Sequence, residues 1–221
     1  FKNKYGGSGK ELGQFFTPSA LETVISEGLG FSQLLLDSNN SVLADPCMGS
    51  ASLLVGNYRK NTTLKLYGGE IDSDTIKWAF QSILLNTGEI STNLHNMDSI
   101  INNNIPKGNR ISNPPFKISM KYIQEQKAYE TKYGKDHKPT FKDIYPLEMN
   151  DPEALFIQNC VYNLADNCAC AIILPYGKIF ESNEKRFVKL RKWLYEKNTG
   201  IDIIHLMLMP RGVFDYADPL T

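Results

Sequence analysis

Apolar residues in this chain fall into two alternating patterns: short continuous runs, and runs spaced at three and four residues. The first pattern predicts strands and the second predicts helices. Thr17 is a good helix N-cap and Pro18 suits a first helical position, with Leu21, Val24, Ile25 and Leu29 following at helical spacing. Residues 41–44 read as a strand ending at Asp45, residues 46–52 as a loop of small residues, and Leu53-Leu54-Val55 as the start of a helix. Residues 64–69 form a second strand ending at Glu70, and residues 72–85 a helix with Ile76, Ala79, Phe80, Ile83 and Leu84 on one side. Residues 92–96 and 109–112 read as strands that end near Asp98 and at Asn113. After a stretch of different character (117–150), Asp151-Pro152 opens a helix through Leu164. Residues 169–174 are uninterruptedly apolar, as in a strand buried on both faces of a parallel sheet. Residues 182–197 form a helix closed by Gly200, residues 201–208 a further strand, and residues 209–214 a loop.

This alternation predicts an α/β fold: a Rossmann-like, open, mostly parallel twisted sheet with helices on both faces. Its 221 residues suit a single domain, with a Gly- and Lys-rich lead-in over 1–14 and an insertion over 117–150. In such sheets ligands bind beyond the carboxyl ends of the strands, near the point where strand order reverses. Asp45, Glu70, Asp98 and Asn113 each stand at a predicted carboxyl end, so four polar groups are expected on one rim.

Charge narrows the picture. Lys plus Arg equals Asp plus Glu at 24 each, so a grip on nucleic acid must be local or come from another domain or subunit. Residues 117–142 hold seven Lys against three acids, with Tyr122, Tyr129, Tyr133 and Phe141 interleaved. That stretch reads as a solvated insertion, or as a basic, aromatic lid over a nucleic acid. Cys47, Cys160, Cys168 and Cys170 show no paired Cys-x-x-Cys spacing, which argues against zinc. No secretory leader and no membrane-length apolar run stand in the sequence, so an intracellular, cytoplasmic and reducing setting is expected, with no membrane partner. The chain opens on Phe1, as a trimmed or processed chain would.

Two segments carry chemistry. Asn113-Pro114-Pro115-Phe116 can grip an exocyclic amine on a flat ring. The Asn113 side-chain oxygen accepts one N–H, and a carbonyl presented by the stiff prolines accepts the other. Phe116 offers a face for stacking. The loop after Asp45 holds Gly49, Ser50, Ala51 and Ser52 and then enters a helix, so a ligand can approach the backbone closely. It lacks both the Gly-x-Gly-x-x-Gly fingerprint and a phosphate-loop Lys, which disfavours NAD, FAD and ATP. Glu70 lies 21 residues beyond Gly49, an offset at which an acid accepts ribose hydroxyls. Asp98 is placed to accept from an adenine amino group. A nucleoside cofactor without a pyrophosphate fits best, and S-adenosylmethionine is the candidate, with its carboxylate near Thr17.

These segments resemble the modification (methylase) subunits of type I restriction–modification systems, which are DNA adenine-N6 methyltransferases. The resemblance runs roughly from Gly13 to Asp218. Gly13-Gln14-Phe15-Phe16-Thr17-Pro18 is similar to the family's opening motif, which closes over the methionine part of the cofactor. Asp45-Pro46-Cys47-Met48-Gly49-Ser50 resembles its cofactor loop, Gly69-Glu70-Ile71-Asp72 its ribose motif and Asp98-Ser99 its adenine-contact motif. Asn113-Pro114-Pro115-Phe116 is similar to its catalytic tetrapeptide, and Phe214 falls where related enzymes place a second aromatic against the extruded base. Glu153-Ala154-Leu155-Phe156 and Ile173-Leu174-Pro175-Tyr176-Gly177 match later landmarks in order. The family usually has Gly at the place of Ala51, Gly-Asp at Met97-Asp98, and an apolar strand where residues 107–112 stand.

The resemblance implies methyl transfer from S-adenosylmethionine to N6 of a flipped-out adenine. DNA is the implied partner, together with a separate specificity subunit or domain and a restriction subunit. No metal is implied. Two other readings stay open. One is the same chemistry on a protein glutamine or an RNA amine; the other is an inactive scaffold that binds DNA or a partner subunit. The missing dinucleotide fingerprint makes an oxidoreductase remote. Cys47 follows a proline, as a cytosine-C5 nucleophile would, but it lies in the cofactor loop with nothing basic nearby in sequence.

Overall fold

The computed structural model describes residues 17–102, 104–116, 120–196, 200–210 and 213. Five strands are present in it: β1 (Val42–Asp45), β2 (Lys65–Glu70), β3 (Leu94–Asn96), β4 (Asn109–Ser112) and β5 (Cys170–Ile172). All pair in parallel, in the spatial order β3-β2-β1-β4-β5. The chain moves outward from β1 to β3, then crosses back to place β4 on the other side of β1. The reversal therefore falls between β1 and β4, which are in register at Leu43↔Asn109 and Ala44↔Arg110.

Eight α-helices connect and flank the strands among the described residues: α1 (Ser19–Thr23), α2 (Phe31–Asp37), α3 (Ser52–Tyr58), α4 (Thr75–Thr87), α5 (Tyr122–Tyr133), α6 (Phe141–Ile144), α7 (Pro152–Asn163) and α8 (Lys185–Tyr195). α1 widens into a π turn over Val24–Gly28, and a second π turn spans Gly177–Glu181. Gly88, at φ 75°, ends α4 in a left-handed turn that a side chain would strain. The first helix starts at Ser19, with Pro18 rather than Thr17 as its N-cap. The Thr17 hydroxyl is engaged elsewhere: it accepts from Asn113 Nδ2 at 3.1 Å.

The two faces of the sheet bury different clusters. Leu43, Leu53, Leu54, Leu66, Ile76, Ile83 and Ile111 form the larger core with α2, α3 and α4. On β5 and its flanks, Ala169, Ala171 and Ile173 pack against this core, whereas Ile172 and Leu174 pack against Ile157, Ile179, Phe187 and Leu190 of α7, the second π turn and α8. That alternation is the strand period of two, and it places helices on both faces. The Rossmann-like architecture expected from the sequence is the one observed.

Three expectations are corrected. β5 is packed on both faces but only partly buried, with Cys170 exposed, because it stands at the sheet edge. Residues 201–208 form no strand; Ile204 and Leu208 are 62% and 64% exposed. A strand requires a partner for its backbone groups, and among the described residues this segment has none. The aromatic residues of the insertion are no open stacking platform. Tyr122, Tyr129 and Phe141 are buried with Tyr145 against Ile100, Leu155 and Phe156. Phe141 and Tyr145 ring centroids are 4.5 Å apart, and the Tyr122 and Tyr129 hydroxyls donate to the Tyr145 and Pro139 carbonyls. The described lysines of 117–142 point outward, so the insertion is solvated outside and apolar within. No helix among the described residues is long and apolar enough to cross a membrane.

The polar residues of β4 are explained by position. All three, Asn109, Arg110 and Ser112, are buried, and their side chains serve as cross-links. Asn109 Nδ2 donates to Ser38 Oγ and to the Asn40 and Val42 carbonyls, and its Oδ1 accepts from Ala169 N–H at 2.9 Å. Arg110 donates to the Asn163 and Pro106 carbonyls. Asn109→Ala should therefore leave several buried partners unpaired and cost about 3 kcal/mol, read as a lowered midpoint in urea unfolding. A change below about 0.5 kcal/mol would contradict this account of the strand.

Candidate functional site

The site is built from the carboxyl ends of β1, β2, β3 and β4. Asp45 closes β1 and is buried; its Oδ1 accepts from Cys47 N–H and from the Ser112 hydroxyl, both at 2.9 Å. Ser112 is the last residue of β4, so this bond ties the two strands at the topological reversal. Cys47 Sγ lies 2.9 Å from Ser112 Oγ in the same knot. Burial dominates the carboxyl's environment and pushes its pKa up to about 7, against the hydrogen bonds that favour the charged form. Burial likewise raises the Cys47 thiol, with the neighbouring Asp45 charge adding to it, so this cysteine is a poor nucleophile.

The loop after Asp45 is locked onto β2. Met48 N–H donates to the Gly69 carbonyl at 2.9 Å, and Gly49 N–H donates to Glu70 Oε2 at 3.0 Å. Glu70 Oε1 accepts from Asp72 N–H at 2.8 Å. Glu70 is buried and its carboxyl is pushed up from the usual range by desolvation. Gly69 is required by close approach: a Cβ there would lie 2.2 Å from Ser99 Oγ and 3.2 Å from the Pro46 carbonyl oxygen. Three loops thus converge on one backbone position. Ala51 adopts φ 65°, where its family counterpart is usually Gly. Its methyl is fully buried within the larger core.

Asp98 follows β3 and is mostly enclosed; its Oδ1 accepts from Ile100 N–H at 2.9 Å, and desolvation raises its pKa. Ser99 Oγ is buried without a hydrogen-bond partner. Asn113 follows β4. Its Nδ2 is held by Thr17 Oγ1, and its Oδ1 is buried with no hydrogen-bond partner among the described residues. Pro114 is buried, while Pro115 and Phe116 are half-buried. Pro46 is buried, Gly49, Ser50, Thr17 and Pro18 are half-buried, and Ile71 is 58% exposed. Phe16 and Phe214 lie outside the described residues.

The structure adds residues that the motifs did not single out. Ser112 and Cys47 link Asp45 to the strand that carries Asn113. Tyr145 and Asn159 support the Asp98 loop from beneath: Tyr145 O–H donates to the Ile100 carbonyl, and Asn159 Nδ2 donates to the Ser99 carbonyl and to Tyr145 Oη. The signal was present for Asn159, a polar residue beside Gln158 in an otherwise apolar helix.

Residues 3–217 match the family model of N-6 DNA methylases. No curated protein sequence matches the chain significantly. Similar solved structures include TrmN from Thermus thermophilus, 16% identical with a TM-score of 0.38, covering 61% of this chain and 34% of that one. A proposed RNA methyltransferase from Pyrococcus horikoshii is 15% identical with a TM-score of 0.47, covering 82% and 71% respectively. An S-adenosylmethionine-dependent methyltransferase from Clostridium acetobutylicum is 12% identical with a TM-score of 0.38, covering 73% and 58%. The chain spans about a third of the first of these and a little over half of the third.

The Asp45 carboxyl sets a pH dependence. Unfolded, it ionises near 3.8; folded, near 7. Between those values unfolding releases a proton, so its contribution to stability is complete below about pH 4 and is lost as pH rises to about 7. Asp45→Asn keeps an acceptor oxygen for Cys47 and Ser112 and removes the titration. The variant should gain on the parent protein by up to about 4 kcal/mol between pH 4 and pH 8. Paired thermal melts across that range check the sign; a parallel pair of curves would refute it.

Proposed function

Because the chain belongs to the N-6 DNA methylase family, we propose that it carries the catalytic rim of a DNA adenine-N6 methyltransferase, in the modification part of a restriction–modification system. The family's cofactor is S-adenosylmethionine. When bound, it supplies a methyl group on a sulfonium that is already a good leaving group.

The residues present fit that cofactor. Glu70 is held at the end of β2 by backbone N–H groups of Gly49 and Asp72, which fix a carboxylate where ribose hydroxyls would be accepted. Asp98 Oδ1 accepts one backbone N–H, so its carboxylate has capacity for an adenine amino group. The unpartnered Ser99 Oγ lies beside it. Gly49 and Ser50 bring backbone close to the ligand, and Asp45 and Pro46 set that loop's path. Thr17 and Pro18, with Phe16, would close over the methionine end; Ile71 would lie against the nucleoside.

One observation carries the proposal: Asn113 has its amide nitrogen tethered and its amide oxygen buried without a partner among the described residues. A buried unpaired acceptor is costly unless a ligand completes it. The tether points the reason. With Nδ2 donating to Thr17, Oδ1 is the free end, and Oδ1 is what an exocyclic N–H needs. Asn113 Oδ1 and the Pro114 carbonyl would accept the two N–H groups of N6, draw the lone pair out of ring conjugation and accept the charge that develops. Alignment of the amine with the donor supplies much of the rest. An adenine in a duplex is stacked inside, so it must be flipped out, with Phe116 on one face and Phe214 on the other. The second, partnering polypeptides that would select the DNA site are part of the same proposal.

Transfer of labelled methyl from S-adenosylmethionine to adenine-containing duplex DNA, with RNA and protein offered in parallel, tests the reading. DNA should accept the label as N6-methyladenine; label only in RNA or protein would overturn it. Asn113→Ala should cut turnover at least ~100-fold with cofactor affinity unchanged, while Glu70→Ala should weaken cofactor binding first. Thr17 separates orientation from mere presence of the amide. Thr17→Val should lower kcat about 10-fold through a loosened Asn113, and Thr17→Ser should restore it. Equal rates for the Val and Ser variants would remove Thr17 from the mechanism.

A further inference from the structure

The net charge of zero makes any concentrated positive surface informative. α8 carries Lys185, Arg186, Lys189, Arg191 and Lys192 and no acidic residue. Phe187 and Leu190 bury its inner side, and Arg191 is turned inward, donating to the Ile179 and Ser182 carbonyls at 2.7 and 2.8 Å. Lys185, Lys189 and Lys192 remain exposed at i, i+4 and i+7, a single stripe along the helix. The stripe runs about 10 Å, long enough to lie along a few successive phosphates of one nucleic-acid strand.

Beside the stripe lies a groove of about 450 Å³ lined by Lys142, Pro146, Leu147, Glu148, Met149, Arg186 and Lys189. Three of its walls are cationic. Glu148 is the lone acid in the lining; it pairs with Lys142 at 2.8 Å. The floor is made by Leu147 and Met149, both buried. The groove is fixed to the start of α7 through an ion pair, Arg186 to Asp151. α7 leads into β5, so its amino end lies at the carboxyl end of the sheet. Asp151 and Glu153 there receive Lys178 at 3.0 and 3.2 Å, and Asp151 also receives Arg186 at 3.1 Å. Lys178 itself follows β5, whose Ile172 is in register with Ser112, the residue before Asn113. Groove and Asn113 therefore share one end of the sheet, on neighbouring strands.

We propose that this groove and the Lys185–Lys189–Lys192 stripe hold the phosphodiester backbone of the DNA strand that presents the target base. The inference rests on the DNA-methylation reading above and adds where the strand is gripped. A row of solvated cations with no acid on the helix between them matches a chain of phosphates better than a peptide, whose charges have no fixed repeat or sign. The buried aromatics of the insertion make its own surface a weaker candidate.

The test compares the wild-type protein, Lys189→Glu/Lys192→Glu, the milder Lys189→Gln/Lys192→Gln, and a control, Lys127→Glu/Lys135→Glu, on the insertion. Each is titrated with adenine-containing duplex DNA and with RNA of the same sequence over a salt series, with S-adenosylmethionine affinity measured alongside. The groove variants should bind DNA at least ~10-fold more weakly, and log K against log salt should flatten by roughly 2 for two lost phosphate contacts. Cofactor affinity and the control should match wild type. DNA binding within twofold of wild type, an equal loss in the control, or a loss confined to RNA would each overturn the proposal. If the groove variants lose DNA affinity yet wild type transfers no methyl to DNA, the groove stands and the methylation reading falls. If wild type methylates DNA and the groove variants bind normally, the reading stands and the groove falls.

Discussion

The hydrogen bond between Ser112 and Asp45 is the constraint on which the site depends. It joins β1 to β4 where the chain reverses direction, and it sits directly before Asn113. A parallel sheet gathers its carboxyl ends on one side, but twist alone would let those ends splay. The Asp45–Ser112–Cys47 knot fixes the gap between them. It does so with a carboxyl that burial holds near neutrality, so the knot is a hydrogen-bonded unit rather than an isolated buried charge.

From that knot, order spreads outward through backbone contacts. Gly49 reaches Glu70, Gly69 admits Ser99, and Met48 holds the Gly69 carbonyl. Each loop is thereby placed by its neighbour instead of by its own rigidity. The polar strand β4 belongs to the same logic. Asn109 and Arg110 would be costly in a central strand if unpaired, yet each is supplied with backbone carbonyls, from Asn40 and Val42 for the first and from Asn163 and Pro106 for the second. The strand that carries the tetrapeptide is thus fastened by directional bonds on a short, four-residue element, where apolar packing alone would leave its register weakly specified.

Sequence reading found what is local. The strands ending in Asp45 and Glu70 were visible because each stops at an acid before a loop or helix start, and the polar strand before Asn113 was visible chiefly through the two prolines that follow it. Tyr122, Tyr129 and Phe141 were ambiguous because their spacing is set by partners far away in the chain, Ile100, Leu155 and Phe156. Whether an aromatic residue among lysines stacks on a ligand or fills a core depends on those partners, not on its neighbours. The same holds for β5, whose apolar run suits either a central or an edge strand, and for residues 201–208, which have strand composition without a described partner. Thr17 shows the limit at a single residue: a hydroxyl before a proline reads as a helix cap, but the fold assigns it to Asn113. Ser112 was hidden for the opposite reason, since a lone serine at a strand end has no sequence signature.

A further consequence concerns how the work is divided. The rim is lined by Asp45, Glu70 and Asp98, acceptors suited to hydroxyl and amine hydrogens and poorly suited to phosphates. On the proposed reading a DNA strand would come to that rim with phosphates that such acceptors do not attract. The lysines of α8, a helix packed on a face of the edge strand β5, would then hold the backbone away from the acids proposed to receive the cofactor. The two ion-paired acids at the start of α7 mark the boundary, since Lys178 and Arg186 shield Asp151 and Glu153 from a passing phosphate. If a chain with no net charge is to serve both proposed ligands, it must segregate its charges in this way, and a parallel sheet offers the means by setting successive strand ends about 4.8 Å apart.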